Sequence, residues 1–496
     1  MGLINFIRTK FRQEKIIPVH MPPLTLYEKL VSYVYSIFPN SWPVWAITTI
    51  FILSLLCILL IGLQILINYI NSIKSKRDSE NKIVNNNDIK VTIEFRIFQL
   101  QYLSVYLTIM LADWLQGTNM YTLYKSYGVD VGTLFLTGFL SSAIFGTFLG
   151  IYVDKWGRKF GCIIFCILEI IINTLEHVQS MPVLLIGRVL GGLSTSLLFS
   201  AFESWMVSEH RNRGFHENLL TSTFSLSSSG NGLVAIFAGM LAQVAFDLRG
   251  DIGPFQLAIV LSAISMMFIF TWNENKGNVD DNVGTIINSI KLSKDTITAN
   301  PSMLYLGLSQ SFFEGAIYSF VFMWVPSLIL AYNDIDTKDS LPFGLIFSCF
   351  MLSMSTGGIL FGILLPIFPS GAEGLTIFVY ITAAISMIIP IIKFEFYYLL
   401  VSFLVLEAMV GMFNSSGATL RSKYYPESMQ SSIMSVFRIP LNLLVVLGTK
   451  LTDNASDKDS LKFVFVVIVI MLLIAIILQI CLGIEEKKKE KKEKKA

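Results

Sequence analysis

The sequence predicts an all-α, polytopic membrane protein with two bundles of six transmembrane helices and one additional transmembrane helix before them. Its 496 residues are 53% hydrophobic and only 15% charged, more apolar than a soluble core of this length requires. Apolar runs of about 20 residues, enough to cross the hydrocarbon layer as a helix, recur along the chain. One run, then six, then six more are separated by two polar linkers, a pattern typical of two helical halves.

These runs divide the chain in order. After an N-terminal tail, 1–44, the run at 45–70 is too long for the apolar part of a signal peptide, so we expect it to remain as the additional helix. A polar linker, 71–96, precedes the first bundle, 97–272, with spans at 98–125, 132–153, 160–178, 181–206, 219–246 and 254–272. A cytoplasmic linker, 273–301, precedes the second bundle, 302–483, with spans at 302–331, 342–366, 375–392, 396–420, 431–452 and 461–483. Residues 484–496 form a lysine-rich cytoplasmic tail.

Basic residues in the short loops predict the orientation, because lysine and arginine are enriched in cytoplasmic loops. With the linker before residue 97 inside, the inside positions include Lys155, Arg158, Lys159, Arg211, Arg213, Arg421 and Lys423. The loop after Ile367 is the exception, since it has no basic residue. The odd number of spans then places the N-terminus outside.

The sharpest local motif lies at the inner end of the span 132–153 and consists of Gly150, Asp154, Gly157, Arg158 and Lys159. This spacing between two transmembrane helices resembles the signature loop of the major facilitator superfamily. The alternative interpretation is a basic anchor followed by a turn. In the family interpretation, Asp154 and Arg158 belong to a cytoplasmic latch that opens and closes.

Two acidic residues near the same side are candidate partners in that latch. Glu203 and Glu209 each lie close enough to the inner end of their helix to pair with Arg158 across the cytoplasmic mouth. Such a pair would favour the state closed to the inside and break on opening. The alternative is that both are interfacial carboxylates in headgroup water.

Charged residues inside the spans mark the candidate substrate path, since a charge at membrane depth is costly unless it faces a cavity, an acid or a ligand. Arg188, in the glycine-rich run 187–192, is a candidate anion contact or one member of an interhelical salt bridge. Arg438, two residues before Pro440, is the second candidate anion contact. The remaining candidate substrate-binding residues are Asp113, Gln116, Tyr124, Glu314 and Asn414. Asp113 or Glu314 either couples transport to a proton or pairs with one of the arginines.

Other functional classes have little support. The net charge is +2 and the basic residues are confined to loops and the tail, which disfavours nucleic-acid binding. The four histidines lie at span ends or in loops and form no catalytic cluster, so we expect neither an enzyme nor a cofactor. The five cysteines lie in apolar runs, so we expect no disulfide or metal site.

Three further runs are similar to one branch of the superfamily, the molybdate-anion transporters. They read DWLQ at 113–116, GRVLGGLST at 187–195 and LFSAFESW at 198–205, and the similarity recurs at 312–324, 347–354 and 437–440. The resemblance implies high-affinity import of molybdate, a tetrahedral oxyanion similar to sulfate in shape and charge. It departs from the superfamily after Ile367, where the second signature lacks its charges.

The residues themselves do not select molybdate. Sulfate, another small anion or an organic anion fits the same requirements, and a sensor that binds without transporting would have the same residues. We expect the protein in the cell membrane. An internal membrane is the alternative, because Lys492 and Lys494 have the spacing of a dilysine retrieval signal.

Overall fold

The computed structural model describes residues 38–39, 41–75, 86–276, 295–333, 341–368, 370–426, 430–453 and 457–493. Every regular element in these residues is a helix, which confirms the predicted all-α class. Nine stretches of the described residues are long and apolar enough to cross a membrane, and one of them, Ser222–Ile269, contains two consecutive helices. Two shorter apolar stretches, Val131–Ser142 and Val436–Gly448, accompany them.

The long helices follow the predicted order of one, six and six, and one additional short helix, Met120–Ser126, lies in the first bundle. Helix α1, Val44–Ser75, precedes the first bundle. The first bundle contains α2 Asn86–Gly117, α3 Met120–Ser126, α4 Val131–Trp156, α5 Arg158–Leu175, α6 Met181–Asn212, α7 Glu217–Arg249 and α8 Gly253–Ile269. The second contains α9 Pro301–Tyr332, α10 Phe343–Leu364, α11 Gly371–Ile392, α12 Phe396–Tyr424, α13 Gln430–Asp453 and α14 Lys458–Glu493.

The first span of the first bundle differs from its prediction as one continuous helix over 98–125. The chain breaks after Gly117, and the short helix α3 begins at Met120. Asp251, on the 3-10 turn Gly250–Ile252, accepts hydrogen bonds from the side chains of Asn119 at 3.3 Å and Thr122 at 2.5 Å. The break is therefore fixed by a contact with a distant turn, which sequence periodicity does not reveal.

The two bundles repeat one packing pattern. Helix α4 packs along α6 as α10 packs along α12, and α2 packs along α7 as α9 packs along α13. Helix α8 packs on α2 and α5 in the same way that α14 packs on α9 and α11. This repetition is the arrangement expected of two structural halves that enclose a site between them.

The bundles meet on the side of the membrane that the basic residues assign to the outside. Helix α7 crosses α10 so closely that a Cβ atom on Gly239 would overlap the carbonyl oxygen of Gly344, so both positions require glycine. The Ser348 hydroxyl donates to the carbonyl of Ile236 at 2.8 Å across the same contact. A cluster of apolar side chains joins α4 to α9 and α13, and it comprises Phe135, Phe139, Phe322, Leu441 and Val445. These contacts form the outer seal.

Helix α1 lies against the second bundle and also reaches the first. The Trp45 ring packs against Phe396 at a centroid distance of 5.2 Å. The Ser41 hydroxyl and the Trp42 indole N–H donate to the Asp247 carboxylate at 2.8 Å and 3.1 Å. The start of α1 is thus beside the C-terminal end of α7 and the N-terminal end of α12, the predicted outer side.

Candidate functional site

A central cavity lies between the bundles and has two connected parts. The first-half chamber, about 360 Å³, is lined mainly by α2, α4, α6 and α9 and contains Asp113 and Arg188. The second-half chamber, about 320 Å³, is lined mainly by α9, α12 and α13 and contains Glu314 and Arg438. The chambers share Phe139, Ser142 and Thr195 as lining residues. With Gln116, which also lines the first-half chamber, five of the predicted substrate-binding residues are therefore brought together from distant parts of the chain.

In the first-half chamber, Arg188 forms a buried ion pair. Its Nη2 donates to Oε1 of Glu176 at 2.6 Å, and the two side chains are only 11% and 1% exposed. The Tyr124 hydroxyl donates to the same oxygen at 2.8 Å, and the Tyr127 hydroxyl donates to the backbone carbonyl of Glu176 at 2.9 Å. The Arg188 Nη1 lies 3.1 Å from the sulfur of Met120. Of the two roles predicted for Arg188, the interhelical salt bridge is the one present in this structure.

A second buried carboxylate, Glu169, lies on α5 about two helical turns before Glu176. It accepts hydrogen bonds from Gln116 at 2.7 Å and from the Ser194 hydroxyl at 2.6 Å. Asn173, one turn further along α5, donates to the same carboxylate at 3.3 Å and to the Glu169 carbonyl at 2.7 Å. Gln116 thus positions a carboxylate at the chamber wall.

Sequence reasoning missed the carboxylates of Glu169, on α5, and of Glu176, the residue that follows α5. Glu169 and Glu176 lie seven residues apart, so they face the same side of the helix, and both are inside or at the end of the predicted span 160–178. Intramembrane acids at this spacing were the signal that could have identified them. Asp113 faces the same chamber, half-buried, and interacts electrostatically with Glu169. With Glu176 included, the chamber region has three carboxylates and one guanidinium.

The second-half chamber is shaped by a seam of small residues on α9. A Cβ on Gly307 would overlap the Phe437 ring, and a Cβ on Gly315 would lie 2.9 Å from Leu444. Between them, the Ser311 hydroxyl lies 3.0 Å from the carbonyl of Phe437, to which it donates. This close approach of α9 and α13 fixes the backbone next to Arg438, whose side chain is exposed to the chamber.

Sequence reasoning also missed Arg421, which was interpreted as a cytoplasmic loop residue. It lies in the last turn of α12 and turns into the second-half chamber, where its Nη1 donates to Oε1 of Gln310 at 2.9 Å. Gly417 leaves room for this contact, since a Cβ there would be 3.2 Å from Arg421 Nη1 and 3.3 Å from Gln310 Nε2. Glu314 interacts electrostatically with both Arg421 and Arg438.

Two of the predicted substrate-binding residues, Asn414 and Tyr124, line neither chamber. The side chain of Asn414 is exposed on α12, and it is not among the described residues that line the cavity. Tyr124 is fully buried behind the Arg188 ion pair. It supports the chamber through Glu176.

The signature loop is anchored inside the first half. Gly157 has φ of +130°, which favours glycine, and it separates α4 from α5. The Glu274 carboxylate accepts the backbone N–H groups of Lys159 at 2.9 Å and Phe160 at 3.0 Å, capping the start of α5. The Lys159 ammonium donates to the carbonyl of Trp272 at 2.7 Å. The loop is thereby tied to the segment after α8.

The predicted latch partners have the following positions. Glu209 is ion-paired with Arg213 at 2.9 Å. Glu203 is exposed and lines a crevice together with Arg158. The side chain of Asp154 lies outside the described residues.

The second half has a different charge arrangement at the corresponding loop. Glu373, at the start of α11, accepts hydrogen bonds from Lys423 at 2.6 Å and from the Tyr424 hydroxyl at 2.9 Å. Lys423 also lies 3.5 Å from Glu486 on α14. The basic member of this network comes from the end of α12, which explains why the loop after Ile367 needs no basic residue of its own.

Comparisons with known proteins agree with this architecture. A family described as sugar transporters with 12 transmembrane segments matches residues 73–397, and the major facilitator superfamily matches residues 336–496. A molybdate-anion transporter of Xenopus laevis is 29% identical over 392 residues, which cover 75% of this chain and 82% of the relative. A molybdate-anion transporter of Takifugu rubripes is 29% identical over 395 residues, covering 71% and 79%. A solved D-xylose-proton symporter has a TM-score of 0.61 at 14% identity over 78% of this chain and 97% of its own, and so shares the fold.

Two six-helix bundles around a central cavity that is sealed on one side define a multi-pass membrane transport protein. The family match over 73–397 covers more than half of the chain. The protein belongs to the major facilitator superfamily. Its predicted resemblance to the molybdate-anion transporters is confirmed by the relatives that bear that name.

Proposed function

We propose that this protein imports molybdate across the cell membrane by alternating access. The observation that carries the proposal is the similarity to molybdate-anion transporters over 71–75% of this chain and 79–82% of theirs. The cavity is compatible with such a substrate, because a dianion in a dry site needs fixed positive charge and Arg438 extends into the cavity from α13.

Alternating access requires a site that opens to one side at a time. On the outer side, the Phe135 and Phe322 rings pack at a centroid distance of 5.2 Å and close the path between the bundles. On the opposite side, the second-half chamber reaches Tyr425, just beyond the end of α12. We expect import to separate the outer seal and bring the cytoplasmic helix ends together, with Arg158 and Glu203 then forming the latch.

The membrane potential sets the energetic requirement. Each negative charge that enters against an inside-negative potential of about 100 mV costs about 2.3 kcal/mol, and molybdate has two such charges. Accumulation therefore needs a coupled cation. Asp113 and Glu314 are the carboxylates of the first helix of each half that face the cavity, and we assign them as candidate proton carriers.

The test is molybdenum uptake at nanomolar external molybdate in cells that lack their own high-affinity uptake. Cells expressing the wild-type protein are compared with cells expressing Arg438→Ala, and the abundance of each protein at the cell surface is measured in parallel. Exposed Arg249, at the outer end of α7, provides the matched control Arg249→Ala.

We expect uptake by the wild type and by Arg249→Ala, resistance to excess sulfate, and loss of uptake in Arg438→Ala at equal abundance. Uptake that sulfate abolishes would replace molybdate with sulfate as the substrate. Correct surface delivery without any flux would favour the sensor and overturn the transport proposal.

A further inference from the structure

The two chambers of the cavity have opposite charge balances. In the first-half chamber, the Arg188 guanidinium is neutralised by Glu176 at 2.6 Å, and Asp113 and Glu169 add two further carboxylates. The second-half chamber has two guanidinium groups and the single carboxylate of Glu314. With all groups ionised, the first is net negative and the second net positive, so an anion is attracted to the second and repelled by the first.

We propose that the second-half chamber alone forms the anion-binding site, with Arg421 and Arg438 as its two cationic contacts. Its ligand class is a small tetrahedral oxyanion with two negative charges. This inference rests on the proposed transport function and deepens it, because it replaces the shared pair of cations that Arg188 and Arg438 suggested in the sequence with two cationic contacts that both come from the second bundle.

Arg421 is held for this role by a neutral partner. One of its five N–H donors is used by the Gln310 amide oxygen, and an amide fixes the guanidinium without cancelling its charge. Gln310 is itself 6% exposed, and its amide nitrogen donates to the Gly417 carbonyl at 3.4 Å. The contrast with Arg188, whose partner is a carboxylate, separates an arginine placed for a ligand from one placed for structure.

Arg438 approaches the same space from α13. No hydrogen bond or ion pair joins its guanidinium to the parts of the chain that the structure describes, and its side chain is exposed to the chamber. The neighbouring lining residues Tyr318 and Asn442 add a hydroxyl and an amide, which are neutral donors suited to oxyanion oxygens. Two forked guanidinium groups and neutral donors match the geometry of a four-oxygen anion.

Replacing Glu314 should change the affinity for the anion in the opposite direction to replacing either arginine. It interacts electrostatically with both arginines, so it offsets part of their charge, and a bound dianion would leave the chamber with one net negative charge. Removing the Glu314 charge without changing its shape should therefore strengthen anion binding, whereas removing either arginine charge should weaken it. A role in folding alone would not produce this opposition.

The experiment is a titration of the purified full-length protein in lipid nanodiscs with sodium molybdate at fixed ionic strength, because added salt screens these charges. We expect Arg421→Gln and Arg438→Gln each to weaken binding by about 10- to 100-fold, as for a lost charged hydrogen bond. Glu314→Gln should bind several-fold more tightly than the wild type. Arg249→Gln, the control outside the cavity, should bind as the wild type does.

Wild-type affinity in folded Arg421→Gln would overturn the site, as would binding that depends on Arg188 but on neither second-half arginine. The titration is repeated with sodium sulfate. A protein that binds sulfate in place of molybdate, with the same dependence on Arg421, Arg438 and Glu314, would refute molybdate as the substrate and support the site. The two failures are therefore distinguishable.

Discussion

Replacing Glu176 with alanine should destabilise the protein much more than a typical loss of an ion pair. The Glu176 side chain is 1% exposed and accepts hydrogen bonds from Arg188 at 2.6 Å and from the Tyr124 hydroxyl at 2.8 Å. Its removal leaves a buried guanidinium without a counter-charge, and breaking such a pair costs about 3–5 kcal/mol. An exposed pair is worth about 0–1 kcal/mol.

The assay is thermal unfolding of the detergent-solubilised protein, followed by intrinsic fluorescence and by recovery of the monodisperse species. The control is Glu395→Ala, which removes an exposed pair with Lys393 at 3.9 Å. Since Arg188 Nε and Glu176 Oε2 have no partner among the described residues, the double replacement Arg188→Leu with Glu176→Leu should recover most of the loss. If Glu176→Ala melts no earlier than Glu395→Ala, or if the double variant is the least stable, the assignment of this pair as structural is wrong.

Three further perturbations test the helix contacts. Gly307→Ala places a methyl group against the Phe437 ring and should lower the free energy of unfolding by about 1–3 kcal/mol, whereas the control Gly117→Ala, which has open space, should lower it much less. Equal melting temperatures for the two variants would contradict the close contact of α9 with α13. Asp247→Ala removes the acceptor for two side chains before α1 and should lower the melting temperature by the equivalent of about 1–3 kcal/mol, so an unchanged value would argue against this attachment. Phe322→Ala should loosen the outer seal, so that a thiol reagent added outside the cell labels a cysteine introduced at Thr195 more rapidly. Labelling no faster than that of the Thr195→Cys protein with Phe322 intact would count against the seal.

Much of the fold was readable from the sequence because a bilayer imposes strict requirements. A spanning helix needs about 20 apolar residues and satisfies its own backbone hydrogen bonds, so the order of one, six and six helices follows from hydropathy. The break before Met120 was not readable, since Asp251, more than a hundred residues away, holds it.

The candidate site was predictable to the extent that a charge at membrane depth must face a cavity or a partner. Asp113, Arg188, Glu314 and Arg438 all line the cavity for that reason. The latch of Arg158 with Glu203 or Glu209 stays a prediction, and what the sequence did not reveal is that Glu209 pairs with Arg213, four residues further along the chain.

The sequence by itself placed Asp113, Arg188, Glu314 and Arg438 within the membrane spans. Only the tertiary structure decided which arginines are already neutralised: Arg188 meets the carboxylate of Glu176, just after α5, and Arg421 meets the amide of Gln310 on α9. Both residues are arginines in or near transmembrane segments, and hydropathy treats them alike. The physical difference is the partner that packing places within about 3 Å, since a carboxylate cancels the charge that an amide leaves available.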